Sequence, residues 1–489
     1  MVTVLLSSIM DKTETSGQDG FSQQVSHSDE SNVKIGISLS ERLTAFFQLI
    51  FSKFSSKKKL FVLIFILIFT LLFILTFRLR GKKEVFFGKK GEIVWWGLTI
   101  DETEIVPLVS AYEKENPGIR ITYIKQSEAD YREKLTNSLI ENRGPDIFEI
   151  HNSWPLMFAS QLAKLPPSIM EKKEFEQTFH PIITSDLTLN GAIVGIPLEY
   201  DALTLFINEN IFLSAAKVPP RTWDDFINLV DPSRKGSLTI FGRGREIVQS
   251  GAAIGFSGNI DHWQEVVALM LLQNKTDLKN PIGKLAQDAL SFFGSFSKMG
   301  VWNETLPSST DGFADGRVAM YFGPLRSAFK IIKTNPELKF KTVRLPQLPK
   351  DAPQDPDYSY ATYWVQSVWE KSVNRENSWR FLQYLSKKES LEKLNENIKL
   401  SRGLKKLSPR LDSANFYVKD LIFGSVVALA PNAKSWFLAD ETFDGEMGIN
   451  SQVSKVFEKV LVGGVTPKKL EAASQEIRTI LSKYQTFNR

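Results

Sequence analysis

One stretch of the chain is apolar at nearly every position. LFVLIFILIFTLLFILTF, from Leu60 to Phe77, has 18 residues and no charge. At ~1.5 Å per residue, a helix of this length just crosses a bilayer core of ~30 Å. A buried soluble helix is the alternative, but the run lacks a polar face. The bulky and basic TFRLRGKK that follows is no cleavage site, so the pattern predicts an uncleaved transmembrane helix.

The segments around this span are polar and basic. Residues 1–59 are predicted to be a largely disordered tail. Within it, residues 38–54 have the apolar spacing of an amphipathic helix that either lies on the membrane or packs against the anchor. Residues 78–90 form a basic linker. The greater positive charge after the span would keep the following residues in the cytoplasm, but long domains can cross despite such charge. Flanking charge alone therefore leaves the orientation open.

From Gly91 onward, short apolar runs alternate with amphipathic runs. EIVWWG, IRITYIK and PDIFEI are strand-like, and each is followed by a helical pattern: TEIVPLVSAYEKENPG, SEADYREKLTNSLIENRG and WPLMFASQLAKL. In the first helix, Ile105, Leu108, Val109 and Tyr112 share one face. This order predicts a parallel sheet covered on both faces, which binds ligands outside the carboxyl ends of its strands.

The α/β pattern continues beyond Gly195. GIPLEYDALTLFIN reads as a strand, and PPRTWDDF reads as a helix with Thr222 and Asp225 in a capping box. GSLTIFGRGREIVQSG predicts a strand, a glycine-rich turn and a helix. Its glycines lack the spacing of a nucleotide-binding loop. The segment 362–369 is strand-like, and the last hundred residues are mostly helical.

Composition excludes several kinds of function. Residues 1–90 hold 13 Lys and Arg against 7 Asp and Glu, whereas the remainder is balanced at 47 against 48. A near-neutral body argues against nucleic-acid binding. The absence of cysteine excludes disulfides, cysteine zinc sites, iron–sulfur clusters and a thiol nucleophile. The four histidines are scattered without ligand spacing, so we expect no metal and no cofactor.

Six short sequence motifs occur in this order along the chain: YEKENPGIRITY, GPDIF, GIPLEYDALTLFINENIF, PPRTWDDF, FADGRVAM and NSWRFLQYLSKKE. With them, the chain from Gly91 to its end resembles the extracellular solute-binding proteins of ABC importers, in the sugar-binding group that includes maltodextrin-binding proteins. The resemblance implies an α/β, two-lobed, periplasmic-binding-protein-like (type II) fold with three hinge crossings. It would place about 91–200 and 358–400 in lobe 1, and about 204–355 and 401–489 in lobe 2.

The resemblance also implies a ligand cleft between the lobes. It aligns Asp201 with a carboxylate that hydrogen-bonds sugar hydroxyls, which would explain three polar residues in a row at the start of a core strand. Paired polar groups bind adjacent hydroxyls, and aromatic rings stack on the apolar face of a sugar. The expected ligand-binding residues are Trp96, Thr99, Asn152, Trp154, Glu199, Tyr200, Asp201, Tyr321, Tyr363, Trp364 and Trp436.

Core packing is the alternative for several of these side chains. Period-2 alternation places Trp95 in the core and Trp96 on the opposite face. For Trp154 and Trp436 as well, packing is the alternative to ligand binding. Two positions depart from the family pattern, because Leu325 and Ile150 stand where relatives have stacking tryptophans. The class of sugar therefore stays open.

Three functions are compatible with these features. The first is a monomeric binding protein, anchored through Leu60–Phe77, whose residues 91–489 lie outside the cytoplasm and deliver a saccharide-like solute to ABC permease subunits. The second is a sensor that signals through a separate partner. The third is a glycoside-acting enzyme using Glu199 and Asp201. Two acids on one strand lie on the same side of a scissile bond, which disfavours the enzyme.

Overall fold

A computed structural model describes residues 90–350 and 352–485. These belong to one compact unit, Val85–Arg489. The predicted tail, the anchor at 60–77 and nearly all of the linker lie outside the described residues. Within the described part, no helix is both long and apolar enough to cross a membrane. The membrane anchor therefore stays a prediction.

The strands are short, and most belong to two five-stranded sheets. In chain order they are β1 (Glu92–Gly97), β2 (Arg120–Lys125), β3 (Ile147–His151), β4 (Thr188–Leu189), β5 (Ala192–Ile193), β6 (Ile196–Pro197), β7 (Leu203–Asn208), β8 (Ile240–Phe241), β9 (Ile247–Ala252), β10 (Val318–Pro324), β11 (Phe340–Val343), β12 (Ser359–Tyr360), β13 (Trp364–Val368) and β14 (Ala433–Lys434).

Helices fill most of the sequence between the strands. They are α1 (Glu102–Glu115), α2 (Tyr131–Ile140), α3 (Lys172–Thr178), α4 (Pro181–Leu187), α5 (Glu209–Ser214), α6 (Trp223–Val230), α7 (Trp263–Gln273), α8 (Gly283–Met299), α9 (Ser309–Ala314), α10 (Ser327–Thr334), α11 (Arg375–Leu385), α12 (Lys388–Arg402), α13 (Gly424–Leu429), α14 (Ile449–Leu461) and α15 (Pro467–Gln485), with 3₁₀ turns at Leu411–Phe416 and Ala430–Asn432.

Each large sheet has its own hydrophobic core and defines one lobe. The first sheet has the order β2-β1-β3-β13-β6. Its strands β1, β2 and β3 are parallel, as the alternating pattern predicts, whereas β13 runs antiparallel to both of its neighbours. The second sheet has the order β11-β7-β10-β9-β8. In it, β7 is antiparallel to β10 and β11, and β9 is parallel to β10.

The chain passes between the two sheets along three neighbouring segments. It leaves the first sheet after β6 and enters the second at β7, and it returns between β11 and β13. A third passage follows β14, because Ala433 packs in the first core and Leu438 in the second. Ala202 bridges Ala361, and β12 pairs with β14, so the three segments are hydrogen-bonded to one another. This arrangement makes a narrow hinge region between the lobes.

Several local predictions are confirmed. Helix α1 buries the predicted apolar face and ends at Glu115, directly before Asn116-Pro117-Gly118. The capping box at the start of α6 is present, because the Thr222 hydroxyl accepts from the backbone N–H of Asp225 and the Asp225 carboxylate accepts from the backbone N–H of Thr222. These features depend on local chemistry, which the sequence displays directly.

Two predicted helices are wrong. Residues 154–165 form turns, because Leu162 bridges Trp369 and the backbone N–H of Ala163 donates to Val368 at the end of β13. Residues 247–252 form β9, which pairs with β8 and β10 inside the second sheet. In both places, hydrogen bonds to a distant strand replace the local helical ones.

The first core also includes a segment from late in the chain. Leu407, Phe423, Val426, Val427, Ala430 and Ala433 pack with the first sheet. These residues belong to the part that the resemblance assigned to the second lobe. Helix α13 contacts both β7 and β11 of the second sheet as well, so it lies where the two lobes meet.

Candidate functional site

The first crossing segment brings three polar side chains to the boundary between the lobes. Glu199 is partly buried, and its Oε2 lies 2.5 Å from Nζ of Lys406. Tyr200 is fully buried, with its ring 4.8 Å from the ring of His180. The carboxylate of Asp201 is buried as well. The three side chains that the sequence singled out thus lie in one place, where both acids have internal partners.

Asp201 binds the start of α10 in the second lobe. Its Oδ1 accepts from the backbone N–H of Leu325 at 2.6 Å, and its Oδ2 accepts from the backbone N–H of Arg326 at 3.1 Å. Nη1 of Arg326 lies 3.4 Å from the same Oδ2. Burial raises the pKa of Asp201 to about 6, although the charge of Arg326 acts in the opposite direction. At neutral pH this carboxylate therefore carries charge and links the crossing segment to the second lobe.

Asn152 and Tyr363 lie together on the first-lobe side. The Asn152 Nδ2 and the Tyr363 hydroxyl both donate to Oδ2 of Asp186, at 2.9 and 2.8 Å. The hydroxyl of Ser435, which follows β14, donates to the other oxygen of Asp186. Burial raises the pKa of Asp186 to about 6, while these three hydrogen bonds act to lower it. Asp186 thus connects two predicted site residues to the third crossing segment.

A row of aromatic rings in mutual contact adjoins this network. The ring of Trp154 is buried and lies 5.5 Å from the ring of Phe158, nearly parallel at 15°. Trp364 meets Trp154 edge-on at 5.7 Å. On its other side, Trp364 stacks on Phe443 at 5.8 Å and 22°. In this structure, Trp154 lies inside the first core, whereas Trp364 reaches the loop before α14.

Trp96 is the second-last residue of β1, and Thr99 follows the end of that strand. Trp96 is half-buried, and Nζ of Lys134 lies 5.2 Å from the centre of its ring. The Thr99 hydroxyl donates to Oε1 of the buried Glu149 at 2.5 Å, and Lys406 donates to the same hydroxyl at 3.0 Å. Because Lys406 also pairs with Glu199, it joins the end of β1 to the crossing segment.

Tyr321 and Trp436 lie on the second-lobe side. Tyr321 is fully buried, and its hydroxyl is 2.8 Å from the Thr310 hydroxyl and 3.2 Å from that of Ser327. Trp436 is half-buried against the second core. Its backbone N–H donates to the Tyr360 hydroxyl at 3.0 Å. Both residues therefore have structural contacts of their own within the second lobe.

A charged cluster faces the crossing segment from the second lobe. Nε of Arg326 lies 3.1 Å from Oε2 of Glu441. The buried ring of His262 lies 3.6 Å from Glu265, 3.8 Å from Asp440 and 4.0 Å from Glu441. Burial acts to lower the pKa of His262, but these three carboxylates together raise it to about 9. The cluster therefore holds a charged imidazole at neutral pH.

Three residues at this boundary have left-handed backbone conformations. His262, Glu441 and Phe443 have φ of +61°, +51° and +49° although none is glycine. Such conformations cost free energy in residues with a Cβ and recur at functional sites. The loop 440–445 thus holds Glu441 beside Arg326 and Phe443 beside Trp364, although its left-handed backbone conformations cost free energy.

The two lobes touch each other beyond the hinge. Nδ2 of Asn450, in helix α14, donates to Oγ of Ser153 at 2.8 Å. The Trp364–Phe443 stack also joins a strand of the first sheet to the loop before α14. Both contacts lie next to the polar residues described above, so the site is bounded by both lobes.

The described residues offer no metal site. Between residues 90 and 485, with the exception of 351, no three His, Asp or Glu side chains are arranged to hold a metal ion. His151 and His262 have other contacts. Both ring nitrogens of His151 contact hydroxyls, those of Ser153 and Thr362, at 2.8 and 2.9 Å.

Sequence reasoning missed five residues at this boundary: Asp186, Arg326, Lys406, Glu441 and Phe443. Arg326 directly follows Gly323-Pro324-Leu325, so that phrase could have indicated it. Glu441 and Phe443 lie in a loop without periodicity, and nothing in their spacing points to the crossing segment. Asp186 and Lys406 approach it only through the tertiary fold.

Comparison with known proteins identifies the relatives of this chain. A family model described as bacterial extracellular solute-binding protein matches residues 107–406. A binding protein of Brucella abortus is 22% identical over 336 residues, which are 66% of this chain and 77% of that protein.

Solved structures show the same architecture. An ABC transporter solute-binding protein of Thermotoga lettingae, bound to α-D-tagatose, has a TM-score of 0.61 and 20% identity over 80% of this chain and 100% of that one. The sugar-binding protein MalE of Xanthomonas citri has a TM-score of 0.62 and 18% identity over 81% of this chain and 98% of its own. These likenesses confirm the predicted two-lobed, periplasmic-binding-protein-like α/β fold.

Proposed function

Since this chain belongs to the bacterial extracellular solute-binding protein family, we propose that it captures a carbohydrate or similar polar solute between its lobes and delivers it to an ABC permease. The prediction that it is not an enzyme is confirmed, because the proteins it matches are solute-binding proteins. The proposal goes further, to the class of solute, the position of the site and the delivery step.

The observation that carries this proposal is the position of Glu199 and Asp201. Both acids lie in the first crossing segment, and each is paired with a cation, Lys406 for Glu199 and Arg326 for Asp201. Lys406 also contacts Thr99 at the end of β1, whereas Arg326 starts a second-lobe helix. A solute at this place would contact groups from both lobes.

The available chemistry suits a polyhydroxylated solute. Carboxylates, an amide and cationic side chains can each pair with hydroxyl groups. The partly exposed ring of Trp96 supplies an apolar face for a sugar ring. Leu325 and Ile150 stand at the two positions where relatives have stacking tryptophans. Both are buried in the first core, so neither position offers a stacking surface for a sugar ring. We therefore propose a small or strongly polar saccharide, in which hydroxyl pairing outweighs stacking.

Solute binding would act through closure of the lobes. A solute that contacts both lobes stabilises the closed arrangement alone and shifts the population toward it. The closed form would then dock on permease subunits. We propose that the domain works as a monomer outside the cytoplasm, tethered through Leu60–Phe77 and the basic linker. A sensor that signals through a partner remains the second candidate, favoured by the same tether.

A thermal-shift screen of residues 91–489 tests the proposal. The screen would use monosaccharides, oligosaccharides, polyols and amino acids. At 100 times its dissociation constant, a solute stabilises the folded domain by about 2.7 kcal/mol, which is readily detected. We expect a saccharide to raise the melting temperature, and we expect Asp201→Ala and Trp96→Ala to abolish that shift.

Asp288→Ala is the matched control. Asp288 pairs with Lys284 on the surface of α8, remote from the crossing segments, so its replacement should leave the shift intact. A shift produced only by another class of solute would discard the sugar. A saccharide shift that survives Asp201→Ala and Trp96→Ala would overturn the assigned site.

A further inference from the structure

A large groove lies on the second lobe, outside the cleft. Its walls are the turn before α6, the segment after α6 and the segment that follows β11, and its volume is about 1440 Å³. Ligand pockets for small molecules usually measure ~300–1,000 Å³. The groove therefore has room for more than one small solute.

Positive charge dominates this groove. Six cationic side chains line it: Lys217, Arg221, Arg234, Lys235, Arg344 and Lys350. The lining carboxylates are those of Asp225 and Asp357. The chain from residue 91 onward is nearly balanced in charge, so this clustering is a local feature.

Both carboxylates are already engaged. Asp357 lies 2.9 Å from Lys350 and 3.9 Å from Arg344. Asp225 accepts from the backbone N–H groups of Arg221 and Thr222 in the capping box. Asp357 is therefore occupied by two other cations, and Asp225 lies near Arg221 without forming an ion pair with it.

Three cations of the groove form no ion pair with another described residue. Among the residues that the structure describes, no carboxylate lies within ion-pair distance of Lys217, Arg221 or Lys235. Lys235 and Arg221 are exposed, and Lys217 is half-buried. Their ammonium and guanidinium groups are thus available to an anion from solution.

These cations are spread along the groove. Arg221 precedes α6 and Lys235 follows it, and the eight residues of that helix span about 12 Å. Between them the floor is apolar, formed by Pro220, Leu229 and Leu345. A single small anion would reach only one end of this array.

We propose that the groove binds an extended polyanion, a linear chain with repeated phosphate or carboxylate groups. Separated anionic groups on one chain can engage cations at both ends of α6 at the same time. Binding of this kind releases counterions and weakens steeply as salt increases. This site is independent of the interlobe cleft.

The test is binding of the full-length chain to long-chain inorganic polyphosphate, at several salt concentrations, with neutral dextran as the comparison polymer. The groove variant combines Lys217→Glu, Arg221→Glu and Lys235→Glu. The matched variant reverses three exposed cations elsewhere, Lys172→Glu, Lys173→Glu and Lys468→Glu. The basic segment before residue 91 is common to all three proteins, so its contribution cancels in the comparison.

We expect salt-sensitive binding of polyphosphate that falls at least about tenfold in the groove variant and less than about twofold in the matched variant. The milder pair Arg221→Gln and Lys235→Gln should weaken binding in the same direction if the charge reversals disturb folding. Equal loss in both triple variants, equal binding of dextran, or no binding by the wild-type chain would each overturn the proposal.

Discussion

Two adjacent tryptophans on β1 are expected to have different roles, Trp95 in stability and Trp96 in solute binding. The Trp95 ring is fully buried, with its edge against Tyr123 and Phe381, whereas Trp96 is half-buried on the other face of the strand. We expect Trp95→Ala to lower the free energy of unfolding by about 3–5 kcal/mol. Trp96→Ala should cost less and should reduce solute affinity. Chemical denaturation and calorimetric titration measure the two effects, and equal losses of stability would contradict this division.

The buried carboxylate of Asp201 should make stability depend on pH. Its pKa is about 6 in the folded protein, above the ordinary 3.8, so the folded state binds this proton more tightly than the unfolded state. The resulting stabilisation is complete below pH ~4 and is lost as the pH rises through ~6. As the pH rises through this range, the free energy of unfolding of the wild-type domain should therefore fall by about 2–3 kcal/mol relative to that of Asp201→Asn.

Denaturation of both proteins without solute, at pH 4 and pH 7, measures this difference. Asp231→Asn is the control, because the pKa of that partly buried acid is lowered, chiefly by the Ser233 side chain. A wild-type domain that gains stability relative to Asp201→Asn as the pH rises would contradict the sign of the expected effect.

For single residues, the sequence predicts the burial pattern that follows from strand periodicity. The alternation of Trp95 and Trp96 was predictable, and both lie as expected. The partner of Asp201 was not predictable, because Arg326 is 125 positions away and meets it only after the second sheet has formed. The left-handed backbone of Glu441 and Phe443 likewise arises from packing, since neither residue type favours it.

The loop before α14 is the element that we expect to control closure. It carries Phe443, which stacks on Trp364 of the first lobe. An aromatic pair contributes ~0.5–1.5 kcal/mol beyond its buried area, so Phe443→Ala should weaken solute binding about 2–10-fold. Calorimetric titration with the solute found by screening measures this change.

Phe437→Ala is the matched control for that loop. Phe437 lies in the same segment and is similarly half-buried, but it packs against the second core only. Its replacement removes an equal side chain without removing a contact between the lobes. If both variants lose affinity equally, the Trp364–Phe443 contact has no special role in closure.

Elements with local signals were predicted and elements with distant partners were not. Helix α1 has a periodic apolar face and a stop signal, and the capping box of α6 is likewise readable. The segment 154–165 has apolar residues at helical spacing, but its backbone pairs with the end of β13. In the same way, 247–252 becomes a strand because β10 offers it a parallel neighbour.

At the scale of the whole molecule, the predicted anchor and the two-lobed domain should be separable. The first described strand is Glu92–Gly97, so a chain lacking residues 1–89 retains every strand and helix of the described residues. We expect the full-length protein to sediment with membranes and the shortened one to be soluble and folded. Fractionation and circular dichroism measure this. A shortened chain that still sediments with membranes would contradict the anchor at 60–77.

The central claim is that one solute contacts both lobes at the crossing segments. Hydrogen–deuterium exchange of residues 91–489, with and without the solute identified by screening, tests it most directly. We predict slower exchange in segments of both lobes, at 96–99, 199–202, 324–327 and 440–444. Protection confined to one lobe, or to the groove around 217–235, would contradict the claim.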